Sequence, residues 1–117
     1  MAGVIDRRPY DYARLNGNTH EIRLIHLFRT LSVDGFIQCR LETLELSKAT
    51  NLRALSYAWG PEQPKRQIIV DGKLLTVREN LYDFLQAYSR KSKLAKRRNL
   101  WIDAICINQS DIEERNH

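Results

Sequence analysis

Glycine-rich phosphate loops are missing from this chain: neither GxGxxG nor GxxxxGKS/T occurs, and the five glycines are scattered. A classical nucleotide-binding fold is therefore disfavoured. Long apolar runs are also missing, none approaching the roughly 18 residues that a membrane helix requires. The opening MAGVIDRRPYDY has no apolar core of signal-peptide length. A cytosolic or nuclear setting is the default, with no membrane role. Cysteine is scarce: Cys39 and Cys106 lie far apart and form no CxxC pair. Neither a disulfide framework nor a zinc site is suggested, so both read as reduced thiols, and no metal or other cofactor is indicated.

What is present is ordinary globular material. At 117 residues the chain is one domain's worth, and 43% apolar with 28% charged residues argues against disorder and low-complexity repeats. The net charge of +5 hints at nucleic acid until it is located, because RKSKLAKRR (Arg90 to Arg98) holds six cations and no acid; taking those six away leaves −1. Such a run can serve as a nuclear localisation or polyanion patch. A solvated linker after a helix C-terminus explains it as well, and the run lacks the aromatic residues that stack on bases, so the linker reading is preferred to nucleic-acid binding.

The first 20 residues show no sustained period and suit an extended N-terminal arm. EIRLIHLF (Glu21 to Phe28) and FIQCRLETLEL (Phe36 to Leu46) have strand lengths and patterns, separated by the turn chemistry of SVDG. Leu41, Leu44 and Leu46 leave a helical end to the second strand open. LRALSYAWG (Leu52 to Gly60) follows as a short strand ending in aromatics and glycine. QIIV and KLLTV flank Asp71-Gly72, the strongest short hairpin signal, since a type I′ turn needs positive φ at both central residues. Thr76 and Glu79 have capping-box spacing, and Leu81, Phe84, Leu85 and Tyr88 share one helical face, which predicts a helix from about Val77 to Arg90. NLWID then reads as a buried strand, and Ser110 with Glu113 forms a second capping box that starts a helix at about Asp111. That helix has barely one turn before His117, too short to be stable by itself, so the sequence reads as a fragment of something longer. Hairpin, helix and NLWID in that order are the pattern of a βαβ unit, and the expected class is α/β with a mixed sheet, a β-hairpin and a crossover helix.

Leu100 to Arg115 concentrates the chemistry-bearing residues. Cys106 stands among polar groups as a nucleophile would, with His20, His26 or His117 as the available bases, but none has a diagnostic spacing and a small buried hydrophobe is the commoner role. Asp103, Asp111, Glu113 and Glu114 could supply acid and base chemistry. The last three belong to a first helical turn, where carboxylates are favoured by the helix dipole. Asp103 ends a strand, at the edge where open α/β sheets place ligand crevices, and is the best-placed functional acid. Asn108 and Gln109 offer amides at the same edge, either to orient a polar ligand or to satisfy loop backbone. Trp59 and Trp101 supply aromatic surface at two strand ends, for which core packing is the default.

Two strings then carry a resemblance. ALSYAWG and LWIDAICINQSDIEER resemble the LSYxWG and LWIDxxCINQxDxxER motifs of the fungal heterokaryon incompatibility (HET) domain. Ser56, Tyr57, Trp59 and Gly60 fit the first motif. Trp101, Asp103, Cys106, Ile107, Asn108, Gln109, Asp111, Glu114 and Arg115 fit the second, and the hairpin and helix between them, including Asn80-Leu81, look like the family's own. On this resemblance residues 21–50 are a β-rich lead-in and residues 51–117 a HET domain truncated on its C-terminal side. The resemblance implies a self/non-self recognition module that triggers regulated cell death through self-association or protein partners. It also implies a TIR-like, flavodoxin-like fold, with LSYAWG and LWID as core strands. Some TIR domains cleave NAD with a glutamate on a later helix, so the enzyme alternative places catalysis beyond His117 and assigns no catalytic residue here.

Overall fold

The computed structural model describes residues 6–16, 20–50, 52–55, 60–91, 99–111 and 114. Its elements are strands β1 (Asp6–Pro9), β2 (Glu21–Leu27) and β3 (Gln38–Glu45), a 3-10 turn (Leu46–Lys48), β4 (Leu52–Leu55), β5 (Lys65–Val70), β6 (Lys73–Arg78), helix α1 (Glu79–Lys91), β7 (Asn99–Ile102) and the single-turn α2 (Asp103–Cys106). The class is α/β with mixed pairing. The chain divides into two compact units, Met1–Tyr10 with Leu27–Arg40 and Tyr57–Arg97, and Asp11–His26 with Leu41–Ser56 and Arg98–His117.

In the first unit the strand order is β1-β6-β5-β3. The β5–β6 hairpin pairs antiparallel from Lys65↔Arg78 to Val70↔Lys73. Its turn residues Asp71 and Gly72 have φ of 50° and 82°, the positive values that a type I′ turn requires. Ile68, Ile69 and Val70 are all buried, the mark of a strand covered on both faces. On one side lies α1, which packs on β5 and β6 and buries Leu81 and Leu85; removing one such leucine from water contributes about 2 kcal/mol. Phe84 and Tyr88 stack at 5.8 Å beside them. β3 runs parallel to β5 with Cys39 opposite Val70. A strand forms in the aperiodic N-terminus as well: β1 runs parallel to β6. The SVDG turn closes on itself, the Phe36 N–H reaching the Ser32 hydroxyl at 3.0 Å.

In the second unit the order is β3-β2-β7-β4. β7 lies antiparallel to β2, with Ile25 opposite Leu100, and parallel to β4 from Leu52↔Asn99 to Leu55↔Ile102. Among the described residues the buried ones are Leu24, Ile25, Leu100, Ile102, Ile105 and Cys106, together with one charged side chain, Arg23.

Two local expectations are corrected. Thr76 does not cap a helix; it sits in β6 opposite Gln67, and α1 begins only at Glu79. The ladder bonds of a long hairpin outweigh one cap, and β-branched Thr and Val suit a strand. The hairpin does not pair with β7 as a simple βαβ unit would: the parallel partner of β7 is β4, and the crossover between them contains both the hairpin and α1. β4 ends the strand order with Leu52, Arg53 and Ala54 exposed; of the expected core strand LSYAWG, Ser56 to Trp59 lie outside the described residues.

Candidate functional site

The second motif folds around Arg23. This side chain is 1% exposed in the middle of β2, where an apolar residue would be usual, and an unpaired charge there would be strongly destabilising. Each end of its guanidinium is engaged. Nη1 donates to Glu114 Oε1 at 2.6 Å and to the Cys106 carbonyl at 2.8 Å. Nη2 donates to Glu114 Oε2 at 3.0 Å and to the Ala13 carbonyl at 2.8 Å. The two carboxylate contacts form the fork geometry that suits arginine and not lysine. The Tyr12 ring lies over the guanidinium at 4.8 Å, and its hydroxyl donates to the Ile105 carbonyl.

Glu114 in turn accepts the Asn108 N–H at 3.1 Å. Its carboxyl is held below the usual glutamate range, first by the hydrogen bonds from Arg23, with the Asn108 N–H adding to the effect and partial burial opposing it. Between Asn108 and Glu114 the chain closes locally. Asn108 Oδ1 accepts the Ser110 N–H at 3.1 Å and its carbonyl the Asp111 N–H at 3.0 Å. Asp111 Oδ1 accepts the Glu114 N–H at 3.3 Å. Asp111 Oδ1 thus sits as a cap toward the Glu114 N–H; Glu113, the expected capping-box partner of Ser110, lies outside the described residues.

Asp103 directly follows β7 and opens α2. Its Oδ1 accepts the Ala104 N–H at 2.8 Å, and its carbonyl takes both the Ile107 N–H at 3.2 Å and the Gln109 side-chain amide at 3.0 Å. The Gln109 amide thus satisfies loop backbone. Cys106 is buried, with its sulfur 3.4 Å from the Ile102 N–H. Burial pushes its thiol up to about 12, outweighing the opposing pull of that N–H and of Arg23. A thiol of this kind is not a nucleophile at neutral pH. Trp101 is half-buried in β7 opposite Ala54. Of the candidate bases, His26 Nε2 pairs with Glu42 at 2.6 Å on the surface. Among the described residues no cluster of His, Cys, Asp and Glu could hold a metal ion.

From the first motif, Gly60 lies among the described residues; Ser56, Tyr57 and Trp59 do not, and neither do Arg115, His117 and most of the basic run. Gly60 has φ of 83°, and a Cβ on it would sit 2.2 Å from Asn80 Nδ2. The positive φ favours glycine there, and any Cβ would also force the exposed Asn80 side chain to shift. The Gly60 carbonyl also accepts from Arg78 Nη1 at 2.9 Å.

The model of the heterokaryon incompatibility protein family matches residues 53–117. The chain belongs to this family. It is 30% identical, over 91% of its length, to heterokaryon incompatibility protein 6, OR allele, of Neurospora crassa, and spans 17% of that protein. No solved structure matches it. The family's second motif is thus the segment that wraps Arg23, a residue upstream of the matched region. Reasoning from sequence missed Arg23; its signal was a lone cation inside the apolar run Ile22, Leu24, Ile25 of a strand. No described helix is long and apolar enough to cross a membrane.

Proposed function

We propose that this chain is part of a fungal incompatibility protein, a self/non-self recognition module that works by self-association or contact with another protein and triggers regulated cell death when unlike hyphae fuse. The observation that carries this reading is how the second motif uses its chemistry. Its thiol is buried with a pKa pushed up to about 12, its glutamate is tied to Arg23, and its amides close the loop backbone. Groups committed in this way shape a surface; they are not poised for bond making. Family membership and the likeness to a Neurospora incompatibility protein support the biological setting.

The test is fungal. The complete protein carrying this chain, expressed against an incompatible partner, should cause dye uptake in fused cells, and substitutions on the exposed Gln109–Ser110 face should weaken it without lowering the protein's abundance. Incubating the purified, assembled protein with NAD tests the enzyme alternative, a TIR-like hydrolase. Nicotinamide release that is lost together with cell death would overturn the contact reading.

A further inference from the structure

Arg23, upstream of the family-matched region, touches both Cys106 and Glu114 of the signature segment. We infer that Arg23 is its positioning residue: through the Glu114 carboxylate and the Cys106 carbonyl, the buried guanidinium sets how Asn108 to Asp111 are presented. The geometry gives the reason. Glu114 is 13% exposed and is gripped at both oxygens by Arg23, so the one carboxylate that receives the Asn108 N–H cannot turn away. Arg23 also holds the Cys106 carbonyl at the end of α2. The loop is therefore pinned on both sides of Asn108 by a single side chain, 83 residues from Cys106 and 91 from Glu114.

Arg23 is itself seated from upstream. Ala13 accepts from Nη2, and the Tyr12 ring covers the guanidinium plane. Tyr12, Ala13 and Arg23 thus belong to the same working unit as the second motif, and a segment beginning at residue 53, where the family match starts, would lack the anchor of its own loop. This holds whether or not the loop meets a partner.

Amide exchange of the full 117-residue chain, followed residue by residue by NMR, tests it. In Arg23→Lys, which keeps the charge and loses the fork, the amides of Asn108, Ser110, Asp111 and Glu114 should exchange about tenfold faster relative to those of β7, while the β5–β6 hairpin stays within about threefold of wild type. Glu114→Gln, at the more exposed end of the pair, should give the same loop-specific pattern and decides the matter if Arg23→Lys fails to fold. The double variant should add little to the larger single effect, since both remove one device. Unchanged loop-to-β7 ratios in both variants, or full additivity in the double, would overturn the inference and leave Arg23 as an ordinary core residue.

Discussion

Arg23 Nη1 and Glu114 Oε1 lie 2.6 Å apart although 91 residues separate them in the chain. The pair joins β2 to the end of the family's second motif, and its worth depends on the carboxylate being charged. A buried ion pair is weak evidence of net stability, since desolvation opposes the attraction, but losing one partner's charge is strongly felt because the other is left uncompensated.

The first prediction concerns pH. The folded pKa of Glu114 lies below its ordinary value, so the pair's contribution is complete above the unfolded value of about 4.3 and is lost as pH falls through the lowered folded one. Between about pH 6 and about pH 3 the melting temperature should fall more steeply for wild type than for Glu114→Gln, which has no such carboxylate to protonate. Parallel slopes would show that the pair is not coupled to folding.

A second prediction concerns the thiols. Cys39 and Cys106 are both buried and neither is in a disulfide, and burial holds Cys106 as the neutral thiol. Neither should react with a thiol-specific reagent in the native protein at neutral pH, and both should react once denaturant is added. Cys106→Ala should lower stability by about 1 kcal/mol. Rapid native labelling at Cys106 would reopen the nucleophile reading.

These relationships divide by sequence range. The hairpin was legible because Asp71-Gly72 encodes its own turn, and the buried face of α1 was legible because Leu81 and Leu85 repeat at helical spacing. Thr76 misled because a local cap competes with a ladder of cross-strand bonds that only the paired strand Lys65–Val70 supplies. The partner of Arg23 was hidden for the same reason on a larger scale: a lone cation in an apolar strand can be read locally, but no local pattern states that it will meet a glutamate 91 residues later. Within the signature loop, residue types were readable, but their roles were not. An amide that orients a ligand and an amide that closes its own backbone have the same sequence, and only geometry assigned the Gln109 side chain to the carbonyl of Asp103.

A third prediction uses the first motif. Gly60→Ala should destabilise by about 1–3 kcal/mol, because alanine resists the left-handed conformation and its Cβ meets Asn80. Asn80→Ala removes the clash and not the backbone strain. The double variant should therefore be more stable than the two single effects summed, and strict additivity, measured by chemical denaturation, would show that Asn80 does not crowd Gly60.

The last prediction separates the two functions of Tyr12. Its hydroxyl donates to the Ile105 carbonyl, while its ring covers Arg23 at 4.8 Å. Tyr12→Phe keeps the ring and removes the donor, so it should lower stability by about 0.5–1.5 kcal/mol, the net worth of one hydrogen bond. Tyr12→Leu removes the quadrupole face as well and should lose a further 0.5–2 kcal/mol or about that, the range for a cation over an aromatic ring. The decisive comparison repeats both changes in an Arg23→Met background. With no cation beneath the ring, Phe and Leu at position 12 should become nearly equivalent, whereas an undiminished difference would assign the Tyr12 ring to apolar packing alone.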